Sequence, residues 1–69
     1  MERILVKEIR KENPRITLEI IKMGNVSKFC AMVNDEGIDA FDNLLVATQV
    51  ANAVNQSFKI YHNEKTLNF

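Results

Sequence analysis

The sequence predicts an α+β fold in which a three- or four-stranded antiparallel sheet (β-β-β-α, with room for a C-terminal β-strand) packs against one long helix. Two observations carry this prediction. Across residues 15–34, apolar and polar side chains alternate with the period of half-buried strands. Across residues 43–58, the chain has no ionisable side chain, and its apolar residues recur at helical spacing.

The clearest strand signal is "RITLEIIKM", residues 15–23. Its apolar side chains alternate with polar ones, which is typical of a strand with one buried face. That face carries Ile16, Leu18 and Ile20. Gly24 follows the strand and tolerates positive φ, so the sequence predicts a turn there.

A second strand is predicted in "FCAMVND", which follows this turn. The short connection favours an antiparallel hairpin with the preceding strand. One face of the second strand has Phe29, Ala31 and Val33, and the other has Cys30, Met32 and Asn34. The apolar environment predicts that Cys30 is a small buried hydrophobic residue.

Residues 3–11 fit two structures. Ile4, Leu5, Glu8 and Ile9 have helical spacing, whereas Ile4 and Val6 alternate as in a strand. A turn at Asn13-Pro14 between two runs of similar length favours the strand and a three-stranded meander.

The helix is expected to begin near Asp39, after "NDEG" at residues 34–37 closes the sheet. Asp39 is a suitable N-cap, and Asp42 would place a negative charge near the positive end of the helix dipole. A stripe roughly 80° wide would then pack on the sheet. Its residues are Ala40, Leu44, Ala47, Ala51, Val54 and Phe58.

A second side of this helix combines apolar and uncharged polar side chains. The amides are Gln49, Asn52, Asn55 and Gln56. Because interface centres are depleted of charge, this side predicts a protein-binding surface and a homodimer. Its candidate interface residues are Val46, Val50, Ala53, Ile60 and Tyr61. The alternative is that these residues simply face solvent, as many apolar side chains do.

Residues 58–63 also fit two structures. Phe58, Ile60 and His62 alternate with Lys59, Tyr61 and Asn63, as in a strand, but one further helical turn explains them equally well.

Composition indicates a single domain spanning residues 1–69. The chain has nine basic and nine acidic residues, so it has no net field that would attract nucleic acid or an anionic membrane. Its apolar runs are too short for a membrane span, and residues 1–12 lack the features of a signal peptide. These observations predict a cytoplasmic protein without membrane contact.

No residue pattern predicts a catalytic, cofactor or metal site. Cys30 and His62 are the only thiol and imidazole, and no second histidine or cysteine supports a metal. The carboxylates of Asp35, Glu36, Asp39 and Asp42 are explained by a turn and a helix start. We therefore expect a non-enzymatic, adaptor-like or inhibitor-like domain that binds an unidentified protein as a homo-oligomer.

Nucleic-acid binding is the alternative function. Its candidate contacts are Arg3, Lys7, Arg10, Lys11 and Arg15, which concentrate positive charge in the first predicted hairpin. Interspersed glutamates at positions 2, 8 and 12 instead favour a solvated surface with local ion pairs.

Overall fold

The computed structural model describes residues 1–61 and confirms the α+β fold: a four-stranded antiparallel sheet is followed by one long helix. The strands lie side by side in chain order, β1-β2-β3-β4. The elements are β1 (Glu2–Arg10), β2 (Ile16–Met23), β3 (Val26–Val33), β4 (Glu36–Phe41) and α1 (Leu44–Tyr61). Of the two structures considered for residues 3–11, the strand is the one that forms.

The register of β2 and β3 confirms the predicted alternation. Leu18 pairs with Ala31, and Glu19 pairs with Cys30, so apolar and polar side chains fall on opposite faces of the sheet. Leu18 and Ala31 are almost completely buried and belong to the covered face, across which α1 packs. The face that includes Glu19 and Cys30 is called the open face below.

The fourth strand lies before the helix, where the sequence had predicted a sheet-closing loop and the helix start. Asn34 and Asp35 both have positive φ, at 50° and 67°. They form a two-residue hairpin loop, because Val33 already pairs with Glu36. Asparagine and aspartate tolerate this conformation, so "NDEG" begins another hairpin instead of ending the sheet.

The N-cap of α1 is Asn43, so the predicted helix start near Asp39 is wrong. The Asn43 side-chain oxygen accepts hydrogen bonds from the backbone N–H groups of Leu45 and Val46, at 2.8 and 3.1 Å. These bonds satisfy two of the amide groups that a helix leaves unpaired at its first turn. Asp39 lies in β4, and its carboxylate accepts a bond from the next backbone amide, that of Ala40.

The helix contacts the sheet through small side chains. Ala47 and Ala51 are fully buried, and Val54 and Phe58 are half-buried on the same side. Two members of the predicted stripe do not belong to it: Ala40 lies exposed in β4, and Leu44 is 44% exposed. The error at Ala40 follows from placing the helix start too early, whereas Leu44 is the first residue of α1.

Phe58 to Tyr61 continue the helix, which decides that part of the choice left open for residues 58–63. His62 and Asn63 lie outside the described residues. Within residues 1–61, no helix is both long enough and apolar enough to cross a membrane.

Candidate interaction surfaces

The solvent-facing side of α1 has a regular pattern of five exposed residues, spaced alternately three and four positions apart. We call it the outer stripe: Val46, Gln49, Ala53, Gln56 and Ile60. Val46 is 40% exposed and Ile60 is 53% exposed. This spacing keeps residues on one side of a helix, so the five side chains form a continuous, uncharged surface.

Three of the five predicted interface residues, Val46, Ala53 and Ile60, are thus brought together and exposed. Val50 is half-buried and lies beside the outer stripe. Tyr61 is the last helical residue, and its side chain lies outside the described part of the chain. Sequence reasoning grouped Gln49 and Gln56 with the polar residues, although their spacing already placed them between the apolar ones.

Both edges of the sheet are irregular. β1 has register shifts between Leu5 and Lys7 and between Glu8 and Arg10. At the other edge, the pairing of β4 with β3 has a register shift between Ala31 and Met32 of β3. Bulges of this kind interrupt the row of backbone groups that a partner strand would need. The edges are therefore poor sites for strand addition, although β1 exposes apolar side chains.

The open face contains an ion pair between an exposed arginine and a buried glutamate, which sequence reasoning missed. The Arg3 guanidinium donates two hydrogen bonds to the Glu19 carboxylate, at 2.8 and 3.0 Å. The Thr17 hydroxyl donates a third at 2.8 Å. Glu19 is only 3% exposed, yet its oxygens have partners. The sequence signal was weak, because a single glutamate at a polar strand position normally faces solvent.

Asp35 connects this pair to the β3–β4 loop. Its Oδ1 atom accepts hydrogen bonds from Arg3 at 2.9 Å and from Arg15 at 3.1 Å. Arg15 also forms an ion pair with Glu8, at 3.5 Å. Arg3 lowers the pKa of the Glu19 carboxyl, against burial, which raises it. Arg3 lowers the pKa of Asp35 in the same way.

The basic residues proposed for nucleic-acid contact do not form one cationic surface. The guanidinium groups of Arg3 and Arg15 are paired with carboxylates on the open face. Arg10 bonds to the backbone oxygens of Glu12 and Asn13 and reaches Asn55 of α1. The remaining two members of the set, Lys7 and Lys11, are exposed. Paired arginines are less available to phosphate, and nucleic-acid binding stays an untested prediction.

A cavity of about 280 Å³ opens on the open face beside the ion pair. It is lined by Met1, Arg3, Ile21, Cys30, Met32, Asp35 and Gly37. Cys30 is 8% exposed, which confirms that it is buried. Burial raises the pKa of its thiol, and the negative charges of Glu19 and Asp39 raise it further. No cluster of three His, Cys, Asp or Glu side chains that could hold a metal occurs within residues 1–61.

Cys30 should therefore react slowly with a maleimide. The thiolate is the reactive form, and both its raised pKa and its burial reduce attack on the reagent. We expect native protein at neutral pH to label much more slowly than the same protein unfolded in guanidinium chloride, which serves as the control. Mass spectrometry over time measures both rates. Equal rates would show that the reagent reaches the thiol in the folded protein and that Cys30 is not protected by burial.

No family model matches this chain, and no similar curated protein or solved structure was found.

Proposed function

We propose that this chain is a non-enzymatic protein-binding domain, adaptor-like or inhibitor-like, that works as a homodimer through the outer stripe of α1. The single observation that carries the proposal is the stripe itself: an exposed helix side in which apolar and amide residues alternate without a charge. Soluble helices usually place charged residues on the side that faces water. Uncharged, partly apolar surfaces are instead typical of interface centres.

The chemistry of the stripe favours a second copy of the same chain as its occupant. A glutamine side chain has both a donor and an acceptor, so two copies of Gln49 and Gln56 can satisfy each other across a two-fold axis. A stripe of lysines or glutamates would repel its own copy. The small side chain of Ala53 at the centre allows two helices to approach closely.

The remaining surfaces offer less for self-association. The bulged edges of β1 and β4 disfavour continuous sheet formation. The open face holds its charged groups in pairs within the protomer. A helix of 18 residues is ~27 Å long, so the interface falls at the small end of the usual size range. We therefore expect a dimer whose dissociation constant lies in the micromolar range.

Ala53→Glu tests the proposal. Two carboxylates at the centre of the stripe would be desolvated without a partner and would repel each other across the two-fold axis. We expect the parent protein to approach twice the monomer mass as its concentration rises well above micromolar, and Ala53→Glu to remain monomeric. Light scattering coupled to size-exclusion chromatography measures both masses.

Ser27→Glu is the matched control, because Ser27 is also small and exposed but lies on β3. It should dimerise like the parent. Circular dichroism checks that both variants keep their helix and sheet. A parent that keeps the monomer mass at every concentration would refute the homodimer, and an Ala53→Glu variant that dimerises like the parent would refute the outer stripe as its interface.

The cytoplasmic location expected from the sequence belongs to the same proposal. It is supported by the single free cysteine, since small secreted domains usually depend on disulfides. Binding affinity measured at increasing salt concentration separates the proposed function from nucleic-acid binding. Phosphate contacts release counterions and weaken steeply with salt, whereas an uncharged helix interface should be nearly insensitive to it.

A further inference from the structure

We infer that the two α1 helices of the homodimer cross antiparallel at Ala53, so that Val46 of each chain packs against Ile60 of the partner subunit. This inference rests on the proposed homodimer and adds its geometry. It also identifies which residue of one chain faces which residue of the other.

The order of residues in the outer stripe is the first argument. From Val46 to Ile60 the stripe reads apolar, amide, alanine, amide, apolar, and it reads the same in reverse. A parallel pair places each residue next to its own copy, so it needs no such symmetry. In an antiparallel pair, each residue faces a different position of the partner helix. Apolar residues then meet apolar residues, and amides meet amides, only if the stripe has the same order of residue types in both directions.

With the crossing at Ala53, the positions match closely. Val46 and Ile60 lie seven residues on either side of Ala53, so each comes level with the other in the partner. Gln49 comes within one residue, about 1.5 Å along the axis, of the level of Gln56 in the partner. Apolar groups therefore meet apolar groups, and amides meet amides.

Charge at the helix ends is the second argument. A parallel pair would bring two helix N-termini, each the positive end of a helix dipole, to the same end of the dimer. An antiparallel pair places each helix N-terminus near the C-terminus of the partner helix, which the helix dipoles favour. Asp42 lies just before the helix and pairs with Lys28 of its own chain, so its carboxylate does not decide between the two arrangements.

Disulfide cross-linking tests this geometry. In a Cys30→Ala background, which removes the only native thiol, single cysteines are introduced by Ala53→Cys, Val46→Cys and Ile60→Cys. A disulfide requires Cα atoms within about 7 Å, so it forms only between residues that face each other. Mild oxidation and a non-reducing gel report the linked dimer, and circular dichroism with light scattering confirms that each variant folds and dimerises.

We expect Ala53→Cys to cross-link with itself. Val46→Cys and Ile60→Cys should cross-link when mixed but not when each is oxidised alone. Efficient self-linking of Val46→Cys and of Ile60→Cys would establish a parallel pair and overturn this inference while leaving the homodimer intact. A dimer in which no variant cross-links would also overturn it, because the interface would lie elsewhere. Monomeric protein throughout would overturn the proposed function as well.

Discussion

Replacing Leu18 with alanine is expected to lower the free energy of unfolding by about 2–5 kcal/mol. Leu18 is 1% exposed at the centre of β2, where it pairs with the fully buried Ala31. The substitution removes the free energy gained by burying the larger side chain, and it leaves a cavity in the core. A domain of this size buries only ~60% of its unfolded surface, so this loss is a large part of its stability. Denaturation in urea measures it.

Leu45→Ala is the matched control for Leu18→Ala, because the same change is made at a residue that is mostly exposed on the first turn of α1. Surface substitutions usually change stability by less than ~0.5 kcal/mol. Alanine also favours the helix, which offsets any lost contact. Similar unfolding midpoints for the two variants would mean that the covered face of the sheet is not the core.

The strands and the main core face could be predicted because successive side chains of a strand point to opposite faces of the sheet. In β2 and β3 each side chain must fall on one face or the other, so the apolar set identified Leu18 and Ala31 together. The start of the helix was predicted wrongly because aspartate is common both in turns and at N-caps. Asp39 was preferred, although Asn43 directly precedes the uncharged run and is an equally good capping residue.

The open face could not be predicted, because its structure depends on contacts between residues distant in sequence. Arg3, Glu19 and Asp35 belong to β1, β2 and the β3–β4 loop, and nothing in their spacing links them. Only the pairing of β1 with β2 brings Arg3 close to Glu19. The outer stripe depends on local helical spacing alone, so its residues could be identified from sequence once the helix was predicted.

Arg3→Met is expected to lower the free energy of unfolding at neutral pH. It should also reverse the part of the pH dependence of stability that comes from Glu19. In the parent, the pKa of Glu19 lies below its ordinary value because Arg3 bonds to the carboxylate. This pair therefore contributes stability above the pKa of the unfolded chain, ~4.3, and the contribution is lost as the pH falls through the lower folded pKa. Methionine keeps the apolar stem of Arg3 but leaves Glu19 buried without its main cationic partner.

In the Arg3→Met variant, burial becomes the largest single influence on the pKa of Glu19, and it is opposed by the Thr17 hydrogen bond and the charge of Arg15. We expect burial to outweigh these two and the pKa of Glu19 to rise above its ordinary value. Acidification from pH 7 toward ~4.3 should then protonate the buried carboxyl and restore stability, whereas the parent gains nothing from this group in that range. Asp35 is exposed and keeps Arg15, so it should contribute little to the difference. The double variant Arg3→Met with Glu19→Gln is the control, because glutamine cannot titrate and the gain on acidification should disappear. Urea denaturation at pH 7 and pH 5 measures all three proteins. A variant that loses stability at both pH values by the same amount would show that the Glu19 carboxylate is solvated and that Arg3 acts only by packing.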